Sequence, residues 1–241
     1  MIVVLRRMIA GYGFLRFRRS AEEVEADYVS FCKRGQPMRV MLYYVLVTTC
    51  VSIVMRFFMP VVHVRQFEMI DIYLMFFIPA IIVWWRGRSL ARSLFLGRLA
   101  LRDVLLVGIA VAIVSTLFFI FGGAFYGLYW EFRWRHFFQD GKIVDMIAYY
   151  IGPIGEETLF QVGVQTWLQR FGPIVAVVVT TLPFWAFHLY GGYISLKGAL
   201  IYLLPGILSF AIVRQTTKST GAAFVAHSVS NMISAVFAVS R

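Results

Sequence analysis

The run Ile143–Leu168, IVDMIAYYIGPIGEETLFQVGVQTWL, decides how this chain is read. It has the length and apolar character of a membrane span, yet two adjacent carboxylates, Glu156 and Glu157, stand inside it. Ionised groups are costly to hold in hydrocarbon, so acids in such a place point to a function before they point to packing. Two later apolar runs carry polar residues of their own: His188 in one, and His227 with Asn231 in the other. These five residues together predict one polar centre inside a helix bundle, with hydrolysis as its chemistry.

The rest of the chain agrees with that reading. Its 241 residues are 60% hydrophobic and 15% charged, whereas a soluble domain is roughly half apolar and a quarter charged. The apolar residues fall in seven runs: Val40–Val64, Met69–Trp85, Val104–Tyr126, Ile143–Leu168, Pro173–Tyr190, Gly198–Val213 and Ser219–Ser240. Runs of this length predict an all-α polytopic transmembrane helix bundle of seven or eight spans. Residues 39–241 form one domain, because no linker, repeat or low-complexity stretch divides them. Residues 1–38 are a basic amphipathic segment suited to a membrane surface. Arg6 and Arg7 interrupt the apolar start, so the first span is expected to target the chain without a cleaved leader.

The net charge of +11 excludes less than it first suggests. The basic residues lie mostly between apolar runs, so they set topology and meet anionic lipid; nucleic acid is not an expected partner. Of the 23 Lys and Arg, 16 fall on the side of the N-terminus when the spans alternate. That places the N-terminus in the cytoplasm, in an integral, multi-pass protein of a prokaryotic plasma membrane. Trp84, Trp85, Trp130 and Trp134 fit interface belts, and residues 128–142 read as an interfacial helix or loop. Arg56, Asp71, His63 and His136 are given no role in the site, and Cys32 and Cys50 imply neither a disulfide nor a metal pair.

Helical geometry pairs the polar residues. Glu157 with Gln161, Phe184 with His188, and His227 with Asn231 are each four apart, so each pair shares a face. At about 1.5 Å per residue, Glu156, His188, His227 and Asn231 can share a level in the membrane. A buried glutamate can activate water, and a second acid beside it changes its ionisation. A histidine can share the proton, while an asparagine amide and a second imidazole can donate to an oxyanion. The alternative is a divalent metal such as zinc, held by Glu156, His188 and His227 with one position open. Gly152-Pro153, just before the acids, predicts a kink or an opened helix.

Three runs carry a family resemblance: Glu156-Glu157-Thr158-Leu159-Phe160-Gln161, Phe184-Trp185-Ala186-Phe187-His188, and His227-Ser228-Val229-Ser230-Asn231. In order and on separate spans, they resemble the motifs of the CPBP intramembrane proteases. That family includes the type II CAAX prenyl endopeptidases and bacteriocin-processing proteins. The resemblance covers residues 143–235. It implies that Glu156 is the base that activates water, with His188 assisting. It implies that His227 and Asn231 stabilise the oxyanion and that Glu157 is a structural or electrostatic partner. It leaves the metal open; Asn231 favours a metal-free glutamate mechanism. The substrate would be a membrane-associated protein or peptide: a prenylated C-terminus, a bacteriocin leader or a sorting peptide.

One departure matters. The family pattern commonly has arginine where this chain has Gln161. Either Glu157 is partly protonated or another cation compensates, and Arg170, nine residues on, is poorly placed to do so. Two rival readings follow from the same residues. The first is a catalytically silent immunity or scaffolding protein, favoured by Gln161. The second is a proton-coupled transporter, disfavoured because no paired halves are visible.

Overall fold

The computed structural model describes residues 95–125, 129–132, 152–190, 200 and 204–240, with separate helical positions at 22, 23, 26, 30, 39, 42 and 46. The expected spans Val40–Val64 and Met69–Trp85, the amphipathic segment 1–38, and Arg56, Asp71, His63 and His136 lie outside these residues or are touched only at those positions.

Five long helices carry the described part. They are α1 (Leu101–Phe125), α2 (152–171), α3 (Pro173–Tyr190), α4 (Leu204–Thr217) and α5 (Thr220–Val236). The expected all-α class holds for this bundle. A small antiparallel ribbon is added at its edge: β1 (Tyr129–Phe132) pairs with β2 (Phe237–Ser240), Tyr129 opposite Ser240 and Phe132 opposite Phe237. Two expectations are corrected here. Tyr129–Phe132, expected within an interfacial helix or loop, is a strand, and the last helix stops at Val236 instead of Ser240. Backbone pairing between the two aromatic-rich ends satisfies groups that a frayed helix end would leave open.

The helices alternate in direction. Ser115 on α1 bonds Ser209 on α4 at 2.7 Å, while the Arg98 N–H donates to the Thr217 carbonyl at 3.0 Å, so α1 and α4 run oppositely. Gln165 Nε2 on α2 donates to the Ala211 carbonyl on α4 at 2.9 Å, and Gln169 Nε2 donates to Gln215 Oε1 at 3.2 Å. Rising numbers meet rising numbers, so α2 and α4 run the same way. The start of α1, the end of α2 and the turn between α4 and α5 meet at one end of the bundle, through Arg98 N–H on the Thr217 carbonyl and Lys218 Nζ near Gln169 Oε1. Arg98, Arg102, Arg170 and Lys218 mark it, with Arg170 lying 3.9 Å over the Trp167 ring.

The tightest seam joins α1 to α5 and α4. Leu99, Val104, Val107 and Val111 of the first close on Ala222, Ala223 and Ala226 of the last, with Phe210 and Val213 from α4. Small residues let the backbones approach, which is how helices associate when the solvent offers no hydrophobic push. Gly108 shows how close: a Cβ there would come within 2.5 Å of the Val225 Cβ. Gly97, at φ +56°, turns the chain into α1 against the backbone of Lys218, a conformation that favours glycine.

The outer faces are as apolar as the inner ones. Leu101, Leu105, Ile109, Ile113, Leu117 and Phe121 recur every fourth residue down the exposed side of α1. Ile174, Val178 and Leu182 do the same on α3. Among the described residues, however, no helix is long and apolar enough to cross a membrane.

Candidate active site

The acids sit where α2 changes its winding. Residues 152–157 are α-helical; Thr158–Gln165 form a π-helix; Thr166–Leu168 return to α and Gln169–Phe171 close as a 3-10 turn. The irregularity therefore follows the acids. Gly152-Pro153, where a kink or an opened helix was expected, stand at the first described residues of α2, and the chain before them lies outside the described residues. Side chains trace the change of register. Thr158 Oγ1 bonds the carbonyl four residues back, Ile154, at 2.6 Å, while Thr166 Oγ1 bonds the carbonyl five back, Gln161, at 3.0 Å. Such π segments are uncommon and gather at functional sites.

Glu157 is 1% exposed, Glu156 8% and His227 5%, so all three are buried. His227 reaches from α5 to both acids. Its Nδ1 lies 2.8 Å from Glu157 Oε1, and its Nε2 lies 3.7 Å from Glu156 Oε2. The nearer acid is thus the second of the pair. A carboxylate on Nδ1 holds that nitrogen's proton and fixes the ring's orientation, leaving Nε2 to face Glu156. The ring is also held by aromatic contacts. Phe210 stacks on it at 5.0 Å between centroids and Phe184 leans on it at 5.8 Å. Phe184 in turn stacks on Phe160 at 4.3 Å. These rings exclude water and lower the local dielectric, which strengthens each electrostatic contact of the site.

Of the residues singled out from the sequence, Glu156, Glu157, His227 and Phe184 are brought together. Asn231 is half-buried one helical turn beyond His227, on the same face of α5. Gln161 is fully buried one turn beyond Glu157. His188 lies in the last turn of α3, one turn past Phe184; its side chain is outside the described residues. Among the described residues no three His, Cys, Asp or Glu side chains form a metal-holding group. Of the metal set Glu156, His188 and His227, Glu156 and His227 face each other at 3.7 Å, and the His188 side chain lies outside the described residues.

Three contributors were not singled out from the sequence: Phe210, Gln165 and Arg214. Arg214 had been placed beyond the end of a span at Val213. In the structure α4 continues to Thr217 and Arg214 is 0% exposed, its Nη2 donating to Thr166 Oγ1. The four-residue spacing of Phe210 and Arg214 was the available signal, since it puts both on the inward face.

The site is, first, of a recognisable class: two adjacent acids and an imidazole meeting in the interior of a helix bundle, the equipment of buried acid–base chemistry. Residues 139–233 match the type II CAAX prenyl endopeptidase Rce1-like family, in line with the CAAX-type proteases that the three motifs resemble. No curated protein and no solved structure matches the chain.

Proposed function

We propose that this protein is an intramembrane endopeptidase that cuts a membrane-associated protein or peptide, with Glu156 as the base. The observation that carries the reading is the His227 ring bonded to Glu157 through Nδ1 and facing Glu156 through Nε2, within the stretch that matches a peptidase family.

In this mechanism Glu156 takes a proton from a water, and the hydroxide formed attacks the scissile carbonyl carbon. The oxygen of that carbonyl becomes an oxyanion, which accepts hydrogen bonds from the Asn231 amide and from Nε2–H of His227 in its imidazolium form, whose other proton, on Nδ1, is held by Glu157. Glu157 holds the ring through Nδ1, so its role is to aim His227. Glu156 then returns its proton to the departing amine as the C–N bond breaks, so one water is consumed and two chain ends are produced. His188, near the end of the helix that supplies Phe184, is assigned to assist the proton transfer.

A bilayer as solvent is supported by the apolar outer faces of α1 and α3 and by the family. The end marked by Arg98, Arg102, Arg170 and Lys218 would then face the cytoplasm and anionic headgroups. Glu157 lies 14 residues before Phe171 at that end, so the acids sit toward the opposite leaflet, which suits an exported substrate.

Two tests apply. Mass spectrometry of membrane and secreted peptides from cells carrying wild type or Glu156→Ala, at matched expression, should reveal peptide termini made only by wild type. Loss of the base is expected to slow cleavage by about 10²–10⁴-fold. Identical peptide profiles would sink the protease reading. Ile113→Lys on the outer face of α1 should lower the membrane-inserted fraction, by about 3 kcal/mol of insertion free energy. Unchanged insertion would remove lipid from that face.

A further inference from the structure

Position 161 lies one turn beyond Glu157 and carries an amide where the resembling motif usually carries a positive charge. The structure makes that amide unusual in its own right. Gln161 is 1% exposed, and among the described residues neither its Oε1 nor its Nε2 has a hydrogen-bond partner. A buried polar side chain without partners is uncommon, because its lost hydration goes unreplaced.

The missing charge arrives from another helix. Arg214, on α4, is 0% exposed, and among the described residues it is the buried Lys or Arg. Its Nη2 donates to Thr166 Oγ1, and that hydroxyl donates to the Gln161 carbonyl at 3.0 Å. One bridging oxygen therefore separates the guanidinium from the backbone of residue 161. Gln165 adds a second tie between the same helices through the Ala211 carbonyl. Asp103 on α1, Glu156 and Glu157 on α2 and His227 on α5 are the other charged or titratable side chains buried among the described residues, and Arg214 is the cation buried with them. In a low dielectric the field of that cation reaches the next turn of the helix.

We propose that Arg214 is the counter-charge and positioning residue of the carboxylate site, filling from α4 the electrostatic place that a basic residue at position 161 would fill from within α2. It holds the π-helical stretch at Thr166 and sets the potential in which Glu156 and Glu157 sit. Its effect on catalysis rests on the endopeptidase reading; its charge role does not.

The test exchanges the charge between the two positions in the full-length protein, purified in detergent. Thermal midpoints are compared for wild type, Gln161→Arg, Arg214→Gln and the double variant. Gln161→Arg alone should lower Tm by about 5 °C, since it sets a second cation beside Arg214. Arg214→Gln should lower it by about 10 °C or prevent folding. The double variant should return to within about 3 °C of wild type, or fold where Arg214→Gln does not. An unchanged or raised Tm in Gln161→Arg overturns the inference, as does a double variant that loses the full effect of both changes. Where wild type cleaves a substrate peptide found by the mass-spectrometric comparison, Arg214→Gln should lose about tenfold in kcat with KM within about twofold, and the double variant should recover. An unchanged kcat in Arg214→Gln overturns the positioning role. If wild type cleaves nothing, the endopeptidase reading fails alone, and the Tm comparison still decides the role of Arg214.

Discussion

Helix α5 works in two seams, and the two are built by opposite rules. Toward α1 it offers Ala222, Ala223 and Ala226, and the contact is dry, close and assembled from small residues. Toward α2 it offers His227, and the contact is polar, buried and tied by a hydrogen bond to Glu157. The first seam gains from dispersion and close approach. The second places two carboxylates and a ring out of water, an arrangement that costs stability and is retained for chemistry. Stability and reactivity are therefore divided between two faces of one helix, and the rigid face aims the reactive one.

Two changes break that division, and a third, outside both seams, calibrates them. The largest effect is expected from Glu157→Gln. The amide preserves shape but removes the charge that aims His227, so cleavage should fall by about 10–100-fold while the folded protein persists. Equal cleavage by the variant in a peptide assay would detach Glu157 from the mechanism. Gly108→Leu strikes the dry seam, where a side chain would meet Val225. It should cost about 1–3 kcal/mol, seen as a lowered Tm, while cleavage per folded molecule stays near wild type. Comparable losses in both readouts would mean that the seams are not separable. The smallest effect belongs to Ser115→Ala, which removes the 2.7 Å bond to Ser209. Loss of that bond should cost about 0.6 kcal/mol, within reach of a careful denaturation series.

The sequence made the chemistry easier to see than the path of the chain. Glu156 and Glu157 stood out because acids in an apolar run are expensive, and His227 because its spacing to Asn231 fixed a shared face. That Glu156 and His227 would meet followed from counting residues from the ends of their spans, and the structure brings them to 3.7 Å. The boundaries of α3 could be read directly, since Gly172-Pro173 and the apolar run coincide with Pro173–Tyr190. Arg214 was misplaced because a charge ends an apolar run on paper, whereas in the folded bundle it continues α4 inward. The ribbon was hidden because Tyr129–Phe132 and Phe237–Ser240 are apolar and aromatic, a composition that serves a strand or an interface equally. The π-helix left no periodic mark, because Thr158–Val162 are buried all round and show no face to count.

The widened stretch in α2 has a consequence for how such a chain can change over generations. An ordinary helix turns about 100° with each residue. Thr158–Gln165 wind more slowly, so the stretch behaves like an inserted residue whose extra rotation has been absorbed. Glu157 can then face α5 while Gln165 and Thr166 face α4. Removing one residue from this stretch would restore regular winding and swing the second group away from its partners by roughly that angle. A shift in length here turns one group away from the other, so related chains should keep the spacing between the acids and the Gln165-Thr166 pair even where the residues between them drift.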